Sequence, residues 1–448
     1  MLVPPEPDVP RALSYPLNPV DNALLATHES LRRRGYCGLS VMLIADLEGP
    51  LDPKDLAAAA SRLGRAYPAL SAHIRFTPIT RRAYWHVGAD AALEDAVEYE
   101  HHFVDPTAQD ADAPLRRALD DPVDPTCGPQ LRLVHVQAAP DRHRLGLRWS
   151  HPLMDMEGGH LLMRELHALL CDEPLTLGAD PRAAVRRPYP WRFPKSLLRV
   201  WQGRLRHAYH DLFRQPRVVA RPENATTACN FQLRRYDAAF RKQFETTARR
   251  RISPGPLLYT RALMIGIART YIRMATERGR PREHYLFSHA LPLPREGGRP
   301  GVHGNHVIIP WIVFASDDLT DWTRADAVAA TQFRDYVAGS GIEATWEMYR
   351  ATQRWPFPAT LAVTTHRIPR GAAGCTSYRF GDQTRRLGAA KIINLAGAGP
   401  MNCHPGWLVG NTTFGDTMSI SITHFEDYFD SPSVSEFLDH LETEISGA

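Results

Sequence analysis

Ser150-His151-Pro152-Leu153-Met154-Asp155-Met156-Glu157-Gly158-Gly159 is the stretch that decides how this chain reads. Upstream of it, Arg144 to Ser150 alternates as a strand does. Downstream, Leu161, Leu162, Leu166, Leu169 and Leu170 recur at helical spacing. A histidine at the mouth of a strand-to-helix turn, with a carboxylate four residues on, is a place for proton chemistry, because imidazole titrates near neutrality. His151 is therefore the candidate general base. Asp155 has two options. It can turn inward and fix the imidazole, or turn outward, pair with an arginine and hold the loop; the second is preferred. Gly158 and Gly159 let the loop and the helix start pack closely. On pattern alone the H-x-x-x-D spacing is weak, and the competing reading is a strand-end histidine followed by a helix-capping aspartate. A metal set of His151, Asp155 and His160 has acceptable ligand types, but no second cluster completes it, so no metal is expected.

Working outward, Gln130 to Gln137 alternates and reads as a strand. Ala138 to Arg142 turns it back into the strand that delivers His151, so the histidine sits at the end of a hairpin, a rigid mount. Gly38 to Ala45 reads as a buried strand. Asp52-Pro53 opens a helix, with proline in the first helical position where its missing N–H costs nothing. Ala72–Phe76 and Arg82–Val87 form a strand pair, Ala96–Val104 another strand and Ala113–Leu119 a short helix. After a break in composition the pattern restarts: a strand over Asn230–Arg235, helices over Ala238–Arg250 and Pro256–Thr276, strands over Tyr285–Leu293 and Val307–Ala315, and a helix over Asp326–Glu347. Strands over Lys391–Ala396 and Met418–Phe425 and a last helix from Ser431-Pro432 complete the chain. The recurrence of strand, helix and further strands in both halves points to two related subdomains with a site between them.

At 448 residues the chain is too long for one ordinary core. Its apolar fraction of 44% and charged fraction of 23% are those of a globular protein. A net charge of +4 is too mild to imply nucleic acid. No run approaches a membrane span; the best, Pro256–Ala268, contains Arg261. The N-terminus lacks the plan of a signal peptide. The six cysteines form no C-x-x-C pair and read as reduced residues, so a cytoplasmic location is expected and the sequons at Asn224 and Asn411 are chance matches. Arg182 to Arg217 carries ten lysines or arginines and one acid, Asp211. It reads as a solvated helix face, as a dock for an acidic carrier protein or for CoA phosphates, or as a contact with an anionic membrane surface.

Several segments taken in order resemble the condensation-domain and CoA-dependent acyltransferase superfamily. That group includes nonribosomal peptide condensation domains, chloramphenicol acetyltransferase, plant alcohol acyltransferases and bacterial wax ester synthase/diacylglycerol acyltransferases. Its motif is H-H-x-x-x-D-G or H-x-x-x-D. Here Ser150 stands for the first histidine, His151 and Asp155 match, and Met156 stands for the glycine. Leu51–Leu56 through Tyr67–Ala72, Asp121–Arg132, Ala290–Arg295 with Gly304-Asn305, and Gly410–Gly415 are similar to the family's other segments.

The resemblance implies an α/β fold of two chloramphenicol-acetyltransferase-like subdomains in a V-shaped pseudo-dimer with a central tunnel. Residues 1–180 would carry the motif, 181–226 the basic crossover and 227–448 the second subdomain. It implies Arg295 as the salt-bridge partner of Asp155, and Thr412 or Thr413 as a donor to an oxyanion. Ser150, Met156, Gly158 and Asn305 become further channel candidates, with Asn305 leaning to a plain turn residue. The implied activity is a free-standing acyltransferase that needs no cofactor. It would move an acyl group from acyl-CoA or an acyl-carrier protein to a small-molecule hydroxyl or amine. The rival is a non-catalytic domain of the same fold that recruits partner enzymes or carrier proteins.

Overall fold

The computed structural model of the chain describes residues 13–88, 92–105, 110–177, 226–293, 302–338, 341–367, 372–381, 385–399 and 406–447. The basic stretch 182–217 and Arg295 lie outside the described residues. The chain opens with β1 (Leu13–Pro16), α1 (Pro19–Arg32), β2 (Ser40–Glu48) and α2 (Pro53–Ala66). Next come β3 (His73–Phe76), β4 (Ala83–Val87), β5 (Val97–Phe103) and α3 (Ala113–Asp120). The hairpin β6 (Leu131–Ala139) and β7 (Arg142–Ser150) delivers the chain to α4 (Met156–Leu170). Beyond residue 226 lie β8 (Cys229–Tyr236), α5 (Ala238–Arg251), α6 (Leu258–Glu277), β9 (His284–Pro292), β10 (Val307–Ile308) and β11 (Trp311–Ala315). Three helices follow: α7 (Trp322–Ala338), α8 (Gly341–Gln353) and α9 (Phe357–Arg367). The rest is β12 (Ala373–Phe380), β13 (Arg386–Leu387), β14 (Ala390–Ala398), β15 (Trp407–Phe414), β16 (Thr417–Phe425) and α10 (Ser431–Ser446).

Two mixed sheets dominate. The first runs β13-β14-β2-β7-β6-β5 and the second β10-β9-β12-β15-β16-β8, with β11 also paired to β9. A small sheet, β1-β4-β3, stands apart. In the first sheet β2 is buried along its length except at its last residue, as a strand covered on both faces must be. Leu43, Leu47, Leu133, Leu145, Leu147 and Trp149 share one core with Leu56 and Leu63 of α2 and Leu162 and Leu166 of α4. On the opposite face Met42, Ile44, Val134 and Val136 meet Leu115 and Leu119 of α3, together with Phe231 and Phe425 of the second sheet. Phe287, Val409, Ile420 and Ile422 of the second sheet pack with residues of α6 and α10 in a third core. No helix among the described residues is long and apolar enough to cross a membrane.

The two halves exchange elements. β14, late in the chain, pairs antiparallel with β2 from Lys391↔Glu48 to Ala398↔Met42. Without it β2 would present a row of unpaired N–H and C=O groups as an open edge. In return, Val20 of α1 joins the core of the second sheet. Sheet membership therefore departs from a division of the chain into 1–180 and 227–448 at residues 386–398, because strand pairing is decided across the sequence and not along it. Two smaller expectations also change. The single strand over Val307–Ala315 is broken between β10 and β11, where Pro310 has no N–H to give a ladder. The helix over Asp326–Glu347 is divided between α7 and α8.

Candidate active site

The hairpin carries His151 one residue past the end of β7. Its N–H donates to Leu39 O at 3.0 Å, and Ser150 N donates to Gln130 O at 3.1 Å, so the turn is tied to the strands on either side. Within the turn, the Trp149 indole N–H donates to Met154 O at 2.8 Å, and Leu153 N donates to Ser150 O at 2.9 Å. The first turn of α4 lies against the Trp149 ring. A Cβ on Gly159 would come within 2.4 Å of Trp149 Cη2, and one on Gly158 within 2.4 Å of Val302 O. Glycine at both places is what lets the helix settle on the indole and lets a loop of the second half come in beside it.

That loop, Val302–His306, completes the site. Gly304, at φ +83°, forms a parallel bridge with Met154 and donates its N–H to Leu153 O at 2.9 Å. Asp155 caps α4: its Oδ1 accepts from Gly158 N at 2.9 Å, while Oδ2 accepts from His306 N at 2.9 Å. Both carboxylate oxygens of Asp155 thus hold backbone N–H groups, one from each half of the chain. The expected partner Arg295 lies outside the described residues.

Asn305 is fully buried, at 0% exposure. Its Nδ2 donates to His151 O at 2.8 Å and to Asp21 Oδ1 at 2.8 Å. Its backbone N–H donates to the same Asp21 oxygen at 2.8 Å, and its carbonyl accepts from Asn18 Nδ2 at 3.0 Å. This corrects the lean toward a plain turn residue: the amide is a junction between the His151 turn and the start of α1. Asp21 and Asn18 were missed in the sequence. Their signal was a capping box at the start of α1, where Val20 N and Asn18 N donate to Asn18 Oδ1 and Asp21 Oδ2, but nothing local tied it to a turn some 130 residues away.

Burial lowers the His151 pKa below that of free imidazole. Its own carbonyl, the Asp155 charge, the Met154 carbonyl and the Asn305 side chain pull back toward the proton. The net direction favours a neutral ring at neutral pH, the state that can take a proton. Burial drives Asp21 the other way, up to about 8, against the N–H donors of Asn305 and Asn18.

Ser150 pairs across the strands with Ser40; both side chains are buried, and neither hydroxyl has a hydrogen-bond partner among the described residues. Met156 is buried, and its Cε lies where a Cβ on Gly397 of β14 would be 2.7 Å away. His160 is buried with its ring 4.5 Å from that of Phe380, and burial lowers its pKa to about 4. The side-chain groups of the described residues that are spaced to hold a metal are His167/Cys171/Glu173 and Glu277/Glu436/His440. The set His151, Asp155 and His160 is not brought together as one of them.

Strand alternation separates the two threonines. Trp407 and Val409 lie in the core of the second sheet's helices, whereas Phe414 lies in the core of the first half. Thr412 shares the face of Phe414, toward the first half, and Thr413 takes the face of Val409.

The sequence matches no family model and no curated protein. Solved structures do match. The first condensation domain of the calcium-dependent antibiotic synthetase, in complex with a substrate analogue, superposes at TM-score 0.67 with 11% identity, over 97% of this chain and 96% of that one. The chain has the condensation-domain fold. Trichothecene 15-O-acetyltransferase from Fusarium sporotrichioides shares it at TM-score 0.66 with 9% identity, over 97% and 96% of the two chains. So does the epimerization domain from the third module of tyrocidine synthetase B, at TM-score 0.59 with 11% identity, over 99% and 98%. The expected α/β architecture is thereby reached by shape, at identities where sequence comparison is silent. In this condensation-domain fold the His151 turn lies where strands and loops of both halves meet.

Proposed function

We propose that this protein is an acyltransferase that moves an acyl group from a phosphopantetheine thioester, of CoA or of an acyl-carrier protein, to a hydroxyl or amine. The observation that carries the reading is His151 itself: a half-buried histidine with its pKa held low, on a turn fixed from both halves of a condensation-domain fold. As the acceptor oxygen or nitrogen attacks the thioester carbonyl, the neutral imidazole takes its proton. The tetrahedral intermediate then collapses, the C–S bond breaks, and the departing thiolate recovers that proton from the imidazolium, leaving ester or amide and free thiol. Asp155 holds the turn and does not touch the reacting atoms. Thr412 is the oxyanion donor that its face supports; Thr413 is set aside. Nothing beyond the thioester substrate is required as a cofactor.

The test is loss of the acyl group, read by intact mass, from a panel of acyl-CoA and acyl-carrier donors with and without alcohols and amines. His151→Ala is expected to slow transfer by about 10²–10⁴-fold. Undiminished turnover of every donor by that variant would remove His151 as the base. A wild-type protein that consumes no donor yet retains a carrier protein would favour the recruiting domain instead.

A further inference from the structure

The mechanism leaves a buried carboxyl unused. Asp21 lies in the first turn of α1, 2% exposed, and its bonds run to the site rather than to solvent. One oxygen, Oδ1, accepts from both the backbone N–H and the side-chain amide of Asn305, each at 2.8 Å. The other, Oδ2, accepts from Asn18 N at 3.0 Å. Asn18 in turn donates through Nδ2 to Asn305 O at 3.0 Å. Asn305 is thus gripped at its amide N–H, its carbonyl and its side chain. Among the described residues the strong acceptor left to its Nδ2 is His151 O at 2.8 Å, with Pro152 O at 3.5 Å. A side-chain amide with two N–H donors has its plane set once one of them is fixed on Asp21, and the second is then aimed at the carbonyl of the base's own residue.

We infer that Asp21 is a positioning residue for His151, acting through Asn305. This rests on His151 being the base proposed above. The arrangement explains why a carboxyl is kept in a site where burial opposes its charge. Two converging N–H groups of one residue need a single oxygen with two lone pairs, and a short side chain on a helix start supplies it without motion. Removing the carboxyl frees the Asn305 amide to rotate, and the His151 carbonyl loses its aim although no atom that meets substrate has been changed. A misplacement of the base by about 1 Å is enough to cost about 10²-fold in rate.

The test uses the full-length protein with histidine carbon-13 labelled at Cε1, the His151 resonance being identified by its loss in H151Q. At fixed pH that resonance is expected to shift and broaden in D21A and in N305S. D21N keeps an acceptor oxygen toward Asn305 and is expected to restore the wild-type position. With acyl-CoA donors, kcat is expected to fall about 10²-fold in D21A with KM little changed, and to recover in D21N. D21S takes the place of D21A if the alanine protein does not fold. An unmoved His151 resonance in a folded D21A, D21S or N305S protein overturns the inference. A wild type that turns over neither acyl-CoA nor acyl-carrier donors removes the acyl-transfer reading alone, because the resonance comparison still decides the positioning role.

Discussion

At the scale of single residues, His151 and Asp155 do different work, and their variants should separate. Burial holds the His151 pKa below its ordinary value, and the ring acts as a base only when neutral. The rate should therefore hold its plateau as pH falls through the range where a free histidine would already be protonated, and decline only below it. A kcat/KM profile with its acid limb at or above the ordinary imidazole pKa would contradict this. Asp155 gives up two backbone partners on removal. Asp155→Ala forfeits a helix cap and leaves the buried His306 N–H unanswered, which together should destabilise by about 2–4 kcal/mol in urea titration. His151, Asp155 and the two glycines were legible in the sequence because their geometry is local: a hairpin end, an N-cap, a helix start against a ring. Asn305 was visible as a residue but not as a junction, and Asp21 carried no more than a helix-cap signal. Their meaning depends on a contact between positions 284 residues apart, which no window of sequence contains.

At the scale of elements, periodicity identified what local pattern controls. The β6–β7 hairpin and the α2 start, with Asp52 accepting from Lys54 N at 2.7 Å, follow from alternation and from turn chemistry. What periodicity could not say is which strand lies beside which. Lys391–Ala396 read as a strand of the second half, yet β14 completes the first sheet beside β2. Leu395 is fully buried there in the core of the first half. Leu395→Ala should cost about 2–5 kcal/mol, and native-state hydrogen exchange should show β2 and β14 losing protection together. Loss confined to the second sheet would contradict the pairing.

At the scale of the molecule, the exchange of β14 for α1 makes the two halves mutually incomplete. A protein cut between residues 226 and 227 should yield two fragments that do not fold apart. The first would expose β2 as a bare edge, and the second would lack the helix that covers part of its core. Separate expression followed by far-ultraviolet circular dichroism and thermal melting checks this, and a cooperative transition in either fragment alone would refute it. The general architecture could be anticipated from the order of weak motifs. The interlock could not, because each exchanged piece is an ordinary strand or helix until its neighbour is known.

The double grip on Asp155 has a mechanical consequence. One oxygen holds the helix that follows His151, and the other holds the loop of the opposite half, with the Gly304–Met154 bridge beside it. A rigid rotation of one half against the other has least displacement near its axis. An axis passing through this clamp keeps all three contacts at full length, whereas one placed elsewhere stretches them. In such a rotation the outer rims would move furthest and the backbone that carries His151 least, as the pin of a pair of tongs stays still while the jaws move.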